Sequence, residues 1–157
     1  YFPRLYDNVW WDTGLKENDI YVEFNKGITT DGGADGKPYV LVFDLGENLR
    51  EYNSFGIVPR LQWTAPAPKT VQIEVSDDLN EGWITVVTKN DSNGFTEAEL
   101  KGATGSYNNH GEGIIHWFEL GKLQKRYIRL TIYETFWNKK VLCLDEVFVS
   151  DRSNVVE

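Results

Sequence analysis

Thr70-Val71-Gln72-Ile73-Glu74-Val75-Ser76 carries Val71, Ile73 and Val75 on one side of an extended chain and Thr70, Gln72, Glu74 and Ser76 on the other. Successive side chains of a strand point to opposite faces, so this alternation describes a half-buried strand and not a helix. The same period recurs outward from it. Tyr127-Ile128-Arg129-Leu130-Thr131-Ile132-Tyr133 groups its three aliphatic residues opposite Tyr127, Arg129, Thr131 and Tyr133. In residues 20–24, Ile20, Val22 and Phe24 alternate with Tyr21 and Glu23. Residues 39–45, 54–58, 83–88, 114–120 and 142–149 are further strand candidates.

The separators are rich in Gly, Pro, Asn and Asp, which favour positive φ, fix φ or cap their own backbone. Gly27, Gly32, Gly33 and Gly36 fall within 25–38, Pro66 and Pro68 within 64–69, and Gly105, Gly111 and Gly113 within 102–113. Asn90-Asp91-Ser92-Asn93-Gly94 is another such stretch. No segment carries a convincing helical period. The expected fold is all-β, an antiparallel β-sandwich or jelly roll of about eight strands. The 157 residues suit one domain across 1–157, both ends at its surface, with 151–157 as a tail.

Composition narrows the function. A chain with 41% hydrophobic and 14% aromatic residues can build a packed core. A net charge of −8 and a pI near 4.8 argue against a nucleic-acid or anionic-membrane footprint, and no run of apolar residues is long enough for a membrane-spanning helix. The single cysteine, Cys143, excludes an internal disulfide. A first residue of Tyr1, not Met, suggests a processed chain or a module of a larger protein.

Catalytic constellations are hard to assemble. His116, between Ile115 and Trp117, reads as a structural histidine on a sheet face, and His110 as a solvated residue of an Asn-Asn-His-Gly loop that is open to a binding role. The pairs Asp77 with Asp78 and Glu97 with Glu99 are sequence neighbours, whereas a glycosidase needs carboxyls facing each other across a cleft. Cys143 alternates with Leu142 and Leu144 as a core or sheet residue. Asp31-Gly32-Gly33-Ala34-Asp35-Gly36 imitates the start of an EF-hand, but its twelfth position is Val42 where a bidentate Glu is required. The chain is not expected to be an enzyme. The triplet Asn90-Asp91-Ser92 is a lone glycosylation acceptor and says little.

Three stretches resemble the discoidin, or coagulation factor V/VIII type C, family, which includes the family 32 carbohydrate-binding modules. They are Val42-Phe43-Asp44-Leu45-Gly46; then Phe55-Gly56-Ile57-Val58-Pro59-Arg60 with Val71 to Asp78 and Trp83; then Arg126-Tyr127-Ile128-Arg129-Leu130-Thr131-Ile132 with Leu144-Asp145-Glu146-Val147-Phe148-Val149. They occur in the family's order across roughly residues 39–150. Leu5-Tyr6-Asp7-Asn8 is similar to the family's opening motif, although Thr13 follows the tryptophans Trp10 and Trp11 instead of preceding them.

The resemblance implies a structural calcium ion in which Asp7 and Glu146 match the family's ligands and Asn8 and Thr13 match more loosely. A hard cation could tie the opening loop to the last strand; the alternative is that Glu146 is simply an exposed residue of a half-solvated strand. The resemblance also places an Arg at the position of Arg60 in the binding loops of sugar-binding members. The residues themselves add the rest. Sugar sites pair an aromatic platform, stacked on the C–H face of a pyranose, with planar polar groups that bond hydroxyls. Phe136, Trp137 and Asn138 lie in the polar loop between the last two strands, and strand alternation does not account for those aromatics. Trp63 follows Arg60 closely, and His110 belongs to another loop. Trp10 and Trp11 face opposite ways on an extended chain, one inward and one outward, with Trp11 the candidate contact. Trp83 and Trp117 sit within strand patterns and read as core.

The expectation is a non-catalytic carbohydrate-binding module that anchors a larger extracellular or cell-surface protein to glycan. Its partners would be a mono- or oligosaccharide and other domains of a parent polypeptide, with no nucleic acid and no membrane insertion. The alternative is a structural domain, or one for protein or phospholipid adhesion without sugar binding, with Phe136, Trp137, Lys139 and Lys140 as the loop tip.

Overall fold

Period-two alternation becomes strand pairing throughout. The structure, a computed structural model, describes residues 22–25, 38–59, 67–103, 115–136 and 141–152, with only the backbone described at 22–25, 101–103, 141, 143, 145 and 146. The strands among them are β1 (Val22–Asn25), β2 (Tyr39–Asp44), β3 (Tyr52–Pro59), β4 (Pro68–Ser76), β5 (Ile84–Asn90), β6 (His116–Leu123), β7 (Tyr127–Thr135) and β8 (Val141–Ser150). They form two four-stranded sheets, β1-β8-β3-β6 and β2-β7-β4-β5, and each pairing is antiparallel. This is the expected antiparallel β-sandwich.

Register explains the core. Val71, Ile73 and Val75 of β4 stand opposite Ile132, Leu130 and Ile128 of β7, which in turn stand opposite Tyr39, Leu41 and Phe43 of β2. The result is three apolar rows on one sheet face. The other sheet answers with Phe55, Ile57, Phe118, Leu120, Leu142, Leu144 and Val147, all buried. The rings of Phe43 and Phe55, one from each sheet, lie 5.8 Å apart between centroids. β3, between β8 and β6, is buried on both faces from Ser54 to Pro59. On its outer face a Cβ at Gly56 would fall 2.7 Å from Ile115 Cγ2 and 2.8 Å from the Trp117 ring. Glycine is what allows Trp117 to lie across β3.

Three sequence expectations are corrected. The first is the absence of helix. Residues Glu97–Ala103 form a short helix, α1. Thr96 caps it: the Glu99 amide donates to Thr96 Oγ1 at 3.2 Å and the Thr96 amide donates to Glu99 Oε2 at 2.7 Å. This reciprocal box satisfies amides that a first helical turn otherwise leaves open, and Phe95 and Leu100 bury the element against the sandwich. The seven residues are too few to show a helical period, so only Thr96-x-x-Glu99 could have signalled it.

The second correction concerns Trp83 and Trp117, which are half-buried on outer faces and not in the core. The Arg129 guanidinium lies 4.1 Å from the Trp83 ring centre while bonding Glu74 through two nitrogens at 3.0 and 2.8 Å. The Arg152 guanidinium covers Trp117 at 4.2 Å. Arg152 also exchanges backbone bonds with the Asn53 side chain at 2.8 and 3.1 Å, so the chain is ordered beyond the expected start of a tail at 151.

Candidate functional site

One end of the sandwich gathers the strand termini that border the proposed ligand residues. β3 ends at Pro59, opposite Leu144 near the start of β8. β4 begins at Pro68, opposite Thr135 at the end of β7. Asn25 stands opposite Val141, Tyr39 opposite Ile132, and His116 opposite Ile57. The Phe136 amide donates to the Ala67 carbonyl at 3.2 Å. The stretches 26–37, 60–66, 104–114 and 137–140 therefore each leave from and return to described residues of this rim.

Arg60 and Trp63 belong to the second of those stretches, His110 to the third, and Trp137 and Asn138 to the fourth. All five lie outside the described residues, as do Trp11, Asp7, Asn8 and Thr13. Glu146 is placed by its backbone alone, opposite Val58 in β3, one position from the rim. Among the described residues no three acidic, histidine or cysteine side chains converge as a metal site. Phe136 is described fully. It is half-buried, packs against the core, and holds the Lys69 ammonium 5.7 Å from its ring centre.

The rim's polar hub was missed by sequence reasoning. His116, the first residue of β6, has Nδ1 at 3.0 and 3.2 Å from the two oxygens of Glu99 on α1. Its Nε2 lies 3.0 Å from the Asn93 carbonyl oxygen. The ring packs between Phe95, at 5.4 Å, and Phe118, at 4.8 Å edge-on. Asn93 in turn bonds β4: its Oδ1 accepts the Val71 amide at 2.8 Å and its Nδ2 donates to the Val71 and Thr88 carbonyls at 2.7 and 2.9 Å. The hub thus ties both sheets and α1 together. Burial works to raise the Glu99 carboxyl, but the Thr96 amide, the His116 ring and the Thr96 hydroxyl more than offset it and hold the group below its usual range. Its charge, and the stability that depends on it, is present above glutamate's ordinary value and lost as pH falls through the lowered one.

The opposite end is arranged differently. Arg126 clamps Asp44 through Nε at 2.8 Å and Nη2 at 3.1 Å, and Lys125 holds Asp77 at 2.9 Å, so both carboxyls lie below their usual range. The buried Tyr52 hydroxyl donates to the Lys125 carbonyl at 2.9 Å, and burial pushes it up to about 12. A cleft of about 440 Å³ lies beside Leu45, Leu49, Tyr52 and Val149. Its one aromatic ring, Tyr52, is buried, so it presents no face on which a sugar could stack.

No family model and no curated protein matches the sequence. Solved structures do. The family 32 carbohydrate-binding module of Clostridium perfringens NanJ, in complex with galactose, superposes with a TM-score of 0.52 at 18% identity, covering 74% of this chain and 69% of that one. The module CBM32-3 from a family 31 glycoside hydrolase of the same organism gives 0.54 at 21% identity, over 76% and 70%. An F5/8 type C domain from Bacteroides fragilis gives 0.52 at 11% identity, over 82% and 75%. At such identities the likeness is one of fold, and it is the fold that the three sequence stretches implied.

Proposed function

We propose that this chain, which shares the β-sandwich fold of the family 32 carbohydrate-binding modules, is a non-catalytic carbohydrate-binding module that anchors a larger extracellular or cell-surface protein to glycan. The observation that carries this reading is topological. Strand register brings the borders of four loop stretches to one rim, and three of those stretches hold Arg60, Trp63, His110, Trp137 and Asn138, with Phe136 beside them. Aromatic faces and planar donors are what a pyranose requires, the rings for its C–H face and the guanidinium and amide for its hydroxyls. Three of the four carboxylates weighed for hydrolysis are engaged in local structure. Asp77 is held by Lys125, Asp78 accepts the Asn80 amide at 2.7 Å in a turn, and Glu99 is held by His116 and Thr96.

Galactose, the sugar in the NanJ module structure, is the first ligand to titrate, followed by a glycan array. Single-site dissociation constants on the order of micromolar to millimolar are expected, with multivalency adding strength. Trp137→Ala and Arg60→Ala should each weaken binding by about tenfold or more while leaving the circular dichroism spectrum unchanged. A folded wild-type module that binds nothing on the array overturns the proposal.

The proposal includes a structural calcium held by Asp7 and Glu146, with Asn8 and Thr13. Glu146 lies in a strand that pairs with β3, so an ion there would fasten the opening stretch to the sandwich. Millimolar calcium should raise the melting temperature by several degrees, EDTA should reverse the gain, and Glu146→Gln should abolish it. Identical melting in calcium and EDTA refutes this part.

A further inference from the structure

His116 faces two oxygens that can only accept hydrogen bonds, the Glu99 carboxylate at 3.0 Å and the Asn93 carbonyl at 3.0 Å. A neutral imidazole has one N–H and one bare nitrogen, and only the doubly protonated ring donates from both. With one proton removed, a ring lone pair would point at one of those oxygens. The ring has little freedom to turn away, because Phe95 and Phe118 pack against it.

We propose that His116 is a proton-operated latch: the doubly protonated ring fastens α1 and the 90–95 turn to the start of β6, and loss of one proton releases one of the two ties. The groups facing the ring come from every neighbouring element. α1 supplies Glu99, the turn supplies the Asn93 carbonyl, and Phe95 and Phe118 supply rings. Among the described residues Glu99 is the ionisable group in hydrogen-bond contact with it, and its carboxyl, held below the usual range, keeps its charge down to more acidic pH than an ordinary glutamate. The latch also joins the two described borders of residues 104–114, since α1 ends at Ala103 and β6 begins at His116. Resting on the sugar-binding reading of this rim, the latch makes affinity for glycan decline as the ring loses its second proton.

Amide exchange of α1, expressed as protection factors so that intrinsic rates cancel, tests the latch without any sugar. Wild-type protection should fall about tenfold between a pH at which ring nitrogen NMR shows both His116 nitrogens protonated and one at which it shows a single ring proton, the scale of one charge-assisted hydrogen bond. Glu99→Gln and His116→Gln should remove the step. Should either variant fail to fold, the wild type still decides, because the fall in protection must coincide with the NMR-detected loss of the second ring proton. Equal protection on the two sides of that proton loss, or a ring that holds a single proton at every pH at which the protein is folded, overturns the latch. Galactose or the best array ligand is then titrated at both pH values. A step in α1 protection with equal sugar affinity overturns the coupling to the rim. A step with no sugar binding leaves the latch standing and refutes the sugar reading instead.

Discussion

Phe55→Ala is expected to destabilise the protein by about 4 kcal/mol, the upper part of the range for removing a buried aromatic ring. Phe55 is fully buried at the centre of β3, the strand paired with both β8 and β6, and its ring meets Phe43 of the other sheet 51° from parallel. Its removal costs transfer energy and leaves a cavity walled by two sheets. Collapse to fill it is opposed because β3 is paired without a register shift from Ser54 to Ile57 with both β6 and β8. Urea unfolding followed by circular dichroism should show the midpoint falling with an unchanged slope, and the melting temperature should drop by roughly 8–16 °C for a chain of this size. Phe55→Leu should cost much less. A loss under about 1 kcal/mol for the alanine variant would mean that the two sheets do not meet at this residue.

Gly94→Ala is the second large effect, expected at about 3 kcal/mol, although it adds only a methyl group. That Cβ would stand 2.5 Å from the Pro68 carbonyl oxygen and 3.0 Å from the carbonyl carbon and oxygen of Lys69. These are backbone atoms of β4, so no side-chain rotation relieves the contact. The approach is close because the Gly94 amide donates to the Lys69 carbonyl at 2.9 Å and the Phe95 amide to that of Pro68 at 3.0 Å. Moving Gly94 outward disturbs both neighbours. Phe95 would be drawn from the core, and the Asn93 amide would lose its grip on Val71. Chemical denaturation again gives the measure, and α1 amides should exchange faster in the variant. A change below about 0.5 kcal/mol would show that the 90–95 turn is not pinned to β4 as described.

The strands were legible because their signal is local. Alternation at 70–76 and 127–133 states that each segment has one wet and one dry face, and eight such segments without a long helical period admit few architectures besides a sandwich. The sequence also sets Arg60, Trp63, His110, Trp137 and Asn138 between strand patterns, in stretches that lie outside the described residues. What was illegible depended on partners distant in the chain. Trp117 and Phe118 are adjacent aromatics in one strand and must point opposite ways. Period alone cannot say which is core. The answer lies in Gly56, far away in sequence, which leaves room on the outer face, and in Arg152, which covers the ring there. Trp83 was misread for the same reason, since its cover is Arg129 from β7.

The hub shows the division most clearly. Asn93-Gly94 is turn chemistry by residue type, and it does form a turn. Only pairing with β4 makes the Asn93 amide a substitute for backbone at Val71, and only the approach of α1 brings Glu99 to His116. By itself the sequence determined that the chain is a layered domain built of strands, because side-chain alternation and turn preference act over a few neighbouring residues. The tertiary structure alone decided strand order, the outward tryptophans, the docked helix and the histidine hub. Those arise from contacts between residues tens of positions apart, whose energies appear only once the register is set.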